Sequence, residues 1–97
     1  MGWNTSHGVI MRSYTSHEAL GQQIAKVTTA AQWTTVAALF NRGNGEPFSV
    51  APADAGAMAE VLETVARLVP QDWESACYGL AAAAHNAYDA GQPWLWS

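Results

Sequence analysis

The residues able to do chemistry are few and far apart. Cys77 is the single cysteine. A thiol nucleophile needs a base within hydrogen-bond reach, and His85 lies about 12 Å further along a helix at 1.5 Å per residue. On an apolar helical stripe Cys77 reads instead as a small buried hydrophobe. His85 and Asp89 stand four apart, a spacing at which a carboxylate can orient an imidazole for acid–base work. On an exposed helix face the same spacing makes only a weak supporting pair. No third group completes a constellation. His7, His17 and His85 share none of the spacings of a metal site, and no Cys-x2-Cys accompanies them. Gly43-Asn44-Gly45 is followed by no Lys-Ser/Thr, and Pro47 removes a backbone donor, so this loop is not a phosphate cradle. The sequence reads as a non-enzyme without cofactor or metal.

The unusual signal is aromatic. Five tryptophans stand among 97 residues. Each can bury ~150–250 Å², and each carries an N–H that needs an acceptor when inside. Trp33 and Trp73 fall on helical stripes, which assigns them to a core. Trp3, Trp94 and Trp96 belong to the two ends of the chain, and a small sheet would bring them together. There they form either a mini-core beneath the sheet or an exposed aromatic surface for a partner or ligand. His7, beside Gly8 in a turn near the same sheet, serves as a turn residue or as a polar anchor. Trp3, His7, Trp94 and Trp96 are the candidate binding residues.

The elements that must position these groups follow from pattern. Residues 3–14 mix Trp, Thr, Val, Ile and Tyr around Ser6-His7-Gly8, predicting one or two short strands with a turn. Thr15-Ser16-His17-Glu18 has the form of a capping box, with Thr15 as N-cap. Leu20, Ile24, Val27 and Ala31 then share one helical face. Gly21 and Thr28-Thr29 weaken this helix and predict a break near residue 28. A second helix is expected over 30–42 with Gly43 as its C′ residue, then a short strand at Phe48-Ser49-Val50. Pro52 suits the first turn of a third helix, whose stripe is Met58, Val61, Leu62, Val65 and Leu68. Pro70 ends it. Asp72 caps a fourth that reaches Ala90, with Trp73, Cys77, Leu80, Ala84 and Ala87 along one side. Gly91 and Pro93 stop that helix, and alternation in Trp94-Leu95-Trp96 puts both rings on one face of a strand. The fold class is α+β: about four helices packed on a small sheet of strands from the N-terminus, residues 48–50 and the C-terminus. One domain spans residues 1–97.

Composition limits the partners. Charged residues are 12% of the chain and the net charge is −4. Four basic residues give phosphate-backbone binding little to work with. A helix–turn–helix over 18–42 is weighed for the same reason and set aside, because its second helix carries only Arg42, at the far end. No run of ~18 apolar residues predicts a membrane span, and the first ten residues lack the blocks of a signal peptide. Gly2 and Ser6 fit a loose myristoylation pattern that no polybasic patch supports. A single cysteine suits a reducing cytoplasm.

Met-Gly-Trp-x-x-Ser-His-Gly at the start, Gly45-Glu46-Pro47-Phe48 in the centre and Pro93-Trp94-x-Trp96-Ser97 at the end resemble a family of short actinobacterial proteins of unknown function. The resemblance covers nearly the whole chain. It implies a single-domain cytoplasmic protein and brings no catalytic residues with it. The first functional expectation is a non-enzymatic module acting by contact with a protein partner or a second copy, as a homodimer, with no nucleic acid and no membrane. The alternative is a small-ligand-binding protein whose aromatic-lined pocket lies between sheet and helices.

Overall fold

In the computed structural model, which describes residues 2–8, 10–42 and 45–97, the two ends of the chain meet in one sheet. β1 (Gly2–Thr5) and β2 (Ile10–Ser13) form an antiparallel hairpin. β4 (Trp94–Trp96) pairs with β1 on one side and with β3 (Phe48–Val50) on the other, giving the order β2-β1-β4-β3, antiparallel throughout. Alternation along these strands turns Trp3, Trp94, Trp96 and Val50 toward the helices. It turns Asn4, Met11, Ser49 and Leu95 outward, where they are exposed.

Four helices cover the inner face: α1 (Tyr14–Val27), α2 (Ala30–Val36), α3 (Pro52–Ala66) and α4 (Gln71–Ala90). This is the expected α+β architecture. α1 begins two residues earlier than the capping-box pattern implies. Ser13 is its N-cap, and the Ser13 hydroxyl accepts from the Ser16 N–H at 3.1 Å. The expected break comes at Thr28, and the next residue starts a new helix. Thr29 and Gln32 form a reciprocal capping box, with Gln32 N–H to Thr29 Oγ1 at 3.1 Å and Thr29 N–H to Gln32 Oε1 at 2.8 Å. α2 is shorter than the predicted 30–42, tightening at Ala37–Leu39 into a 3₁₀ turn. The proposed C′ role of Gly43 lies outside the described residues.

α3 opens with Pro52 at its first turn, as its fixed φ favours. The helix stops at Ala66, so Leu68 leaves the helical phase and is exposed while Val69 is buried in its place. Pro70, not Asp72, occupies the N-cap of α4, without a side-chain cap. α3 and α4 pack side by side through small residues, with Ala55, Ala59 and Ala66 buried on one and Ala83, Ala84 and Ala87 on the other. Alanines let two backbones approach closely at little entropic cost.

Candidate functional site

Of the two arrangements open to the terminal tryptophans, the mini-core beneath the sheet is the one found. Trp3, Trp94 and Trp96 are 3%, 0% and 1% exposed. The option of an exposed terminal aromatic surface is therefore corrected: the pairing of β1 with β4 draws both ends of the chain under the helices, where the rings are core. The two helical tryptophans, read as core, are only half-buried. α2 is seven residues long and Trp73 stands in the first turn of α4, so both rings pack against the core from close to a helix end.

The buried rings form a connected cluster. Trp3 meets Tyr14, Phe48 and Trp96 edge-to-face, with centroids 5.4, 5.4 and 6.0 Å away. Trp94 meets Trp96 edge-on at 5.0 Å, and Phe48 stacks on Trp96 at 5.3 Å. These are the separations at which aromatic quadrupoles attract. Two indole N–H groups, those of Trp94 and Trp96, are buried with no acceptor among the described residues. Leaving such a donor unmade costs about 1–3 kcal/mol.

His17 links this cluster to the surface. It is the one buried side chain outside the apolar set among the described residues. Its ring stacks on Phe40 at 4.6 Å and tilts against Trp96 at 5.1 Å. Nε2–H donates to the Leu39 carbonyl at 2.7 Å, fastening α1 to the 3₁₀ turn. Burial pushes its pKa below 6.5, the Leu39 bond opposes that shift, and the charge of Arg12 adds to it. The imidazole is neutral at pH 7, with the proton on Nε2 and a lone pair on Nδ1. His17 was legible as a core position: it stands three before Leu20 and seven before Ile24, on their stripe. Reading it as part of a cap hid that.

Beside His17 opens a cleft of about 410 Å³ between α1 and the α2–3₁₀ segment. Trp3, Tyr14, Trp33 and Phe40 supply aromatic walls, and Glu18, Gln22 and Arg42 supply polar groups. Trp33 lies parallel to Phe40 with centroids 6.0 Å apart. Gly21 shapes the cleft from α1. A Cβ there would come within 2.8 Å of the Phe40 ring, so the glycine that weakens the helix on paper admits Phe40 to its surface. Arg42 is held over the Phe48 ring at 4.0 Å and donates through Nε to the Ala38 carbonyl. Its charge is thus fixed near the cleft by a cation–π contact.

The remaining candidates have structural roles. His7 sits in the turn after β1 at φ 63°. Its Nδ1 accepts from the Ser6 hydroxyl at 2.7 Å, and that hydroxyl accepts from Leu95 N–H at 2.8 Å. Its Nε2–H donates to Gln92 at 2.8 Å, and Asn86 donates to its carbonyl at 3.0 Å. One tautomer satisfies the whole chain of bonds, which ties the hairpin turn to α4 and β4. His7 does not line this cleft. His85 and Asp89 pair at 3.1 Å on the exposed face of α4. Cys77 is buried, and burial pushes its thiol from 9.0 up to about 11, the reverse of nucleophile activation. Among the described residues no three His, Cys, Asp or Glu side chains gather as a metal site. No helix among them is long and apolar enough to cross a membrane.

The chain belongs to the family described as domain of unknown function DUF7739, whose model matches residues 4–97. No curated protein and no solved structure matches it.

Proposed function

We propose that this member of the DUF7739 family is a non-catalytic binding protein that takes a small aromatic or largely apolar molecule in the α1–α2 cleft. The observation that carries the reading is the cleft itself. Its volume of about 410 Å³ falls in the ~300–1,000 Å³ range of small-molecule sites, which are built from apolar and aromatic walls with a few polar groups. Trp33 and Phe40 are near-parallel and half-buried, and both give aromatic surface to the cleft that a flat guest can pack against. Arg42 and Glu18 at the edge, with the His17 lone pair behind, would orient it. A single buried thiol fits a cytoplasmic setting, where no disulfide is needed.

Intrinsic fluorescence tests this with indole, benzamide and anthranilamide as probes. At least one should give a saturable change, weakened about tenfold by Trp33→Ala, since aromatic pairs are worth about 0.5–1.5 kcal/mol beyond the area they bury. Binding unaltered by Trp33→Ala, or no saturable change with any probe, contradicts the reading.

Contact with a protein partner or a second copy has a different observation in its favour. Met11 and Leu95 are 82% and 53% exposed on the outer sheet face, opposite the tryptophans. Such a module would associate through that face. Sedimentation of wild type beside Leu95→Glu decides it: a dimer lost in the variant supports this reading, and a monomer at all concentrations removes self-association.

A further inference from the structure

Arg12 points inward. On β2 it stands directly opposite Trp3 of β1, on the buried side of the sheet, and is itself half-buried. A desolvated charge costs free energy unless it is paired. Yet among the described residues no carboxylate lies within ion-pair distance of Arg12. Its one hydrogen bond there runs from Nη1 to the Ser16 hydroxyl at 2.6 Å, leaving most of its five donors without a protein acceptor. Arg12 shares its surroundings with residues of two helices, His17 on α1 and Ser75, Ala76 and Leu80 on α4. That places the guanidinium at the junction of the sheet with both.

The same junction holds a cleft of about 240 Å³, separate from the aromatic one, with Trp3 and His17 lining both. Arg12, Ser75 and Trp96 line it. Trp96 is 1% exposed, and its Nε1–H has no acceptor among the described residues. Arg12, Ser75 and Trp96, each carrying hydrogen-bond donors, therefore line one small space, with no negative charge among its lining residues. That donor set is complementary to an oxyanion.

We propose that this cleft binds the carboxylate of a small organic acid, gripped by Arg12. One cation without a counter-charge matches one negative charge. A planar carboxylate fits the guanidinium fork through two parallel bonds. The volume admits a compact acid, and Trp3 and Leu80 give its carbon skeleton an apolar wall.

The proposal does not rest on occupation of the aromatic cleft, and the test separates the two. Acetate and propionate, which carry no aromatic ring for the other cleft, are titrated into the full chain at fixed ionic strength, with chloride and sulfate as controls. The Trp96 indole N–H is followed by ¹H–¹⁵N correlation. The expected result is a saturable shift with a carboxylate, at least tenfold weaker in Arg12→Gln, intermediate in Arg12→Lys and unchanged in Trp33→Ala. Should Arg12→Gln not fold, Ser75→Ala replaces it, with about a threefold loss expected. Absence of a saturable shift, an equal shift with chloride or sulfate, or full binding without Arg12 or Ser75 overturns the proposal.

Discussion

His17 couples the stability of the fold to pH because its two states differ in solvation. In the folded chain its pKa lies below 6.5, chiefly through burial. The unfolded chain therefore takes up the proton first as pH falls. The stability gained by keeping this imidazole neutral is whole above pH 6.5 and is lost as pH drops through 6.5 toward the lower folded value. Urea melts between pH 7.5 and 5, above the range where most carboxylates titrate, should show a falling midpoint for wild type. In His17→Gln, whose amide can still donate to the Leu39 carbonyl, that slope should be flat. An equal slope in both proteins would place the acid sensitivity elsewhere. The position was within reach of the sequence, since His17 continues the Leu20–Ile24 stripe. Its Leu39 acceptor was not, because that contact spans 22 residues and depends on how the 3₁₀ turn folds back.

At the level of elements, boundaries came from chemistry that single residues announce. Pro52 starts α3, and Gly91 ends α4 in the left-handed region at φ 64°. A Cβ at Gly91 meets nothing within 4 Å, so the strain of Gly91→Ala is purely conformational. It should destabilise the protein by about 1–2 kcal/mol without altering the aromatic cluster, measurable as a shift in denaturation midpoint at unchanged m-value. Loss above that range would mean a packing role for Gly91. Helix ends set by weaker signals were less legible. Thr28-Thr29 reads as a poor helix interior, yet Thr29 is the residue that starts α2, because a threonine hydroxyl caps as readily as its β-branching disfavours an interior. Leu68 fits the α3 stripe on paper and falls outside it, since the stripe cannot tell where the helix ends.

For the molecule as a whole, the decisive contact is the one between its ends. Alternation put Trp94 and Trp96 on one face of a strand, and the aromatic count suggested a sheet uniting the termini. Which face would be covered depends on the pairing of β1 with β4, a contact across nearly the full chain that no local pattern encodes. For Trp33 and Trp73 helical periodicity gave the direction toward the core and not the depth, since both pack against it half-buried. The energetic consequence is a contrast between tryptophans. Trp94→Ala and Trp96→Ala should each cost about 3–5 kcal/mol, as large-to-small changes in a packed core do. In a domain of this size, where total stability is about 5–15 kcal/mol, that approaches unfolding. Trp33→Ala should cost about 1–2 kcal/mol and leave a folded chain, because its ring is half in solvent. Thermal melts of the three variants check the order, and a Trp33 variant as unstable as the Trp94 one would remove Trp33 from the cleft wall.

The binding reading is tested most directly by mapping a small aromatic probe on the folded protein. Backbone and indole shifts are followed while indole or benzamide is titrated into uniformly ¹⁵N-labelled chain. The cleft predicts saturable changes concentrated at Gly21, Trp33, Leu39 and Phe40, with Met11 and Leu95 on the outer sheet face unmoved. Shifts confined to the outer sheet face, or spread without saturation over the surface, would contradict it.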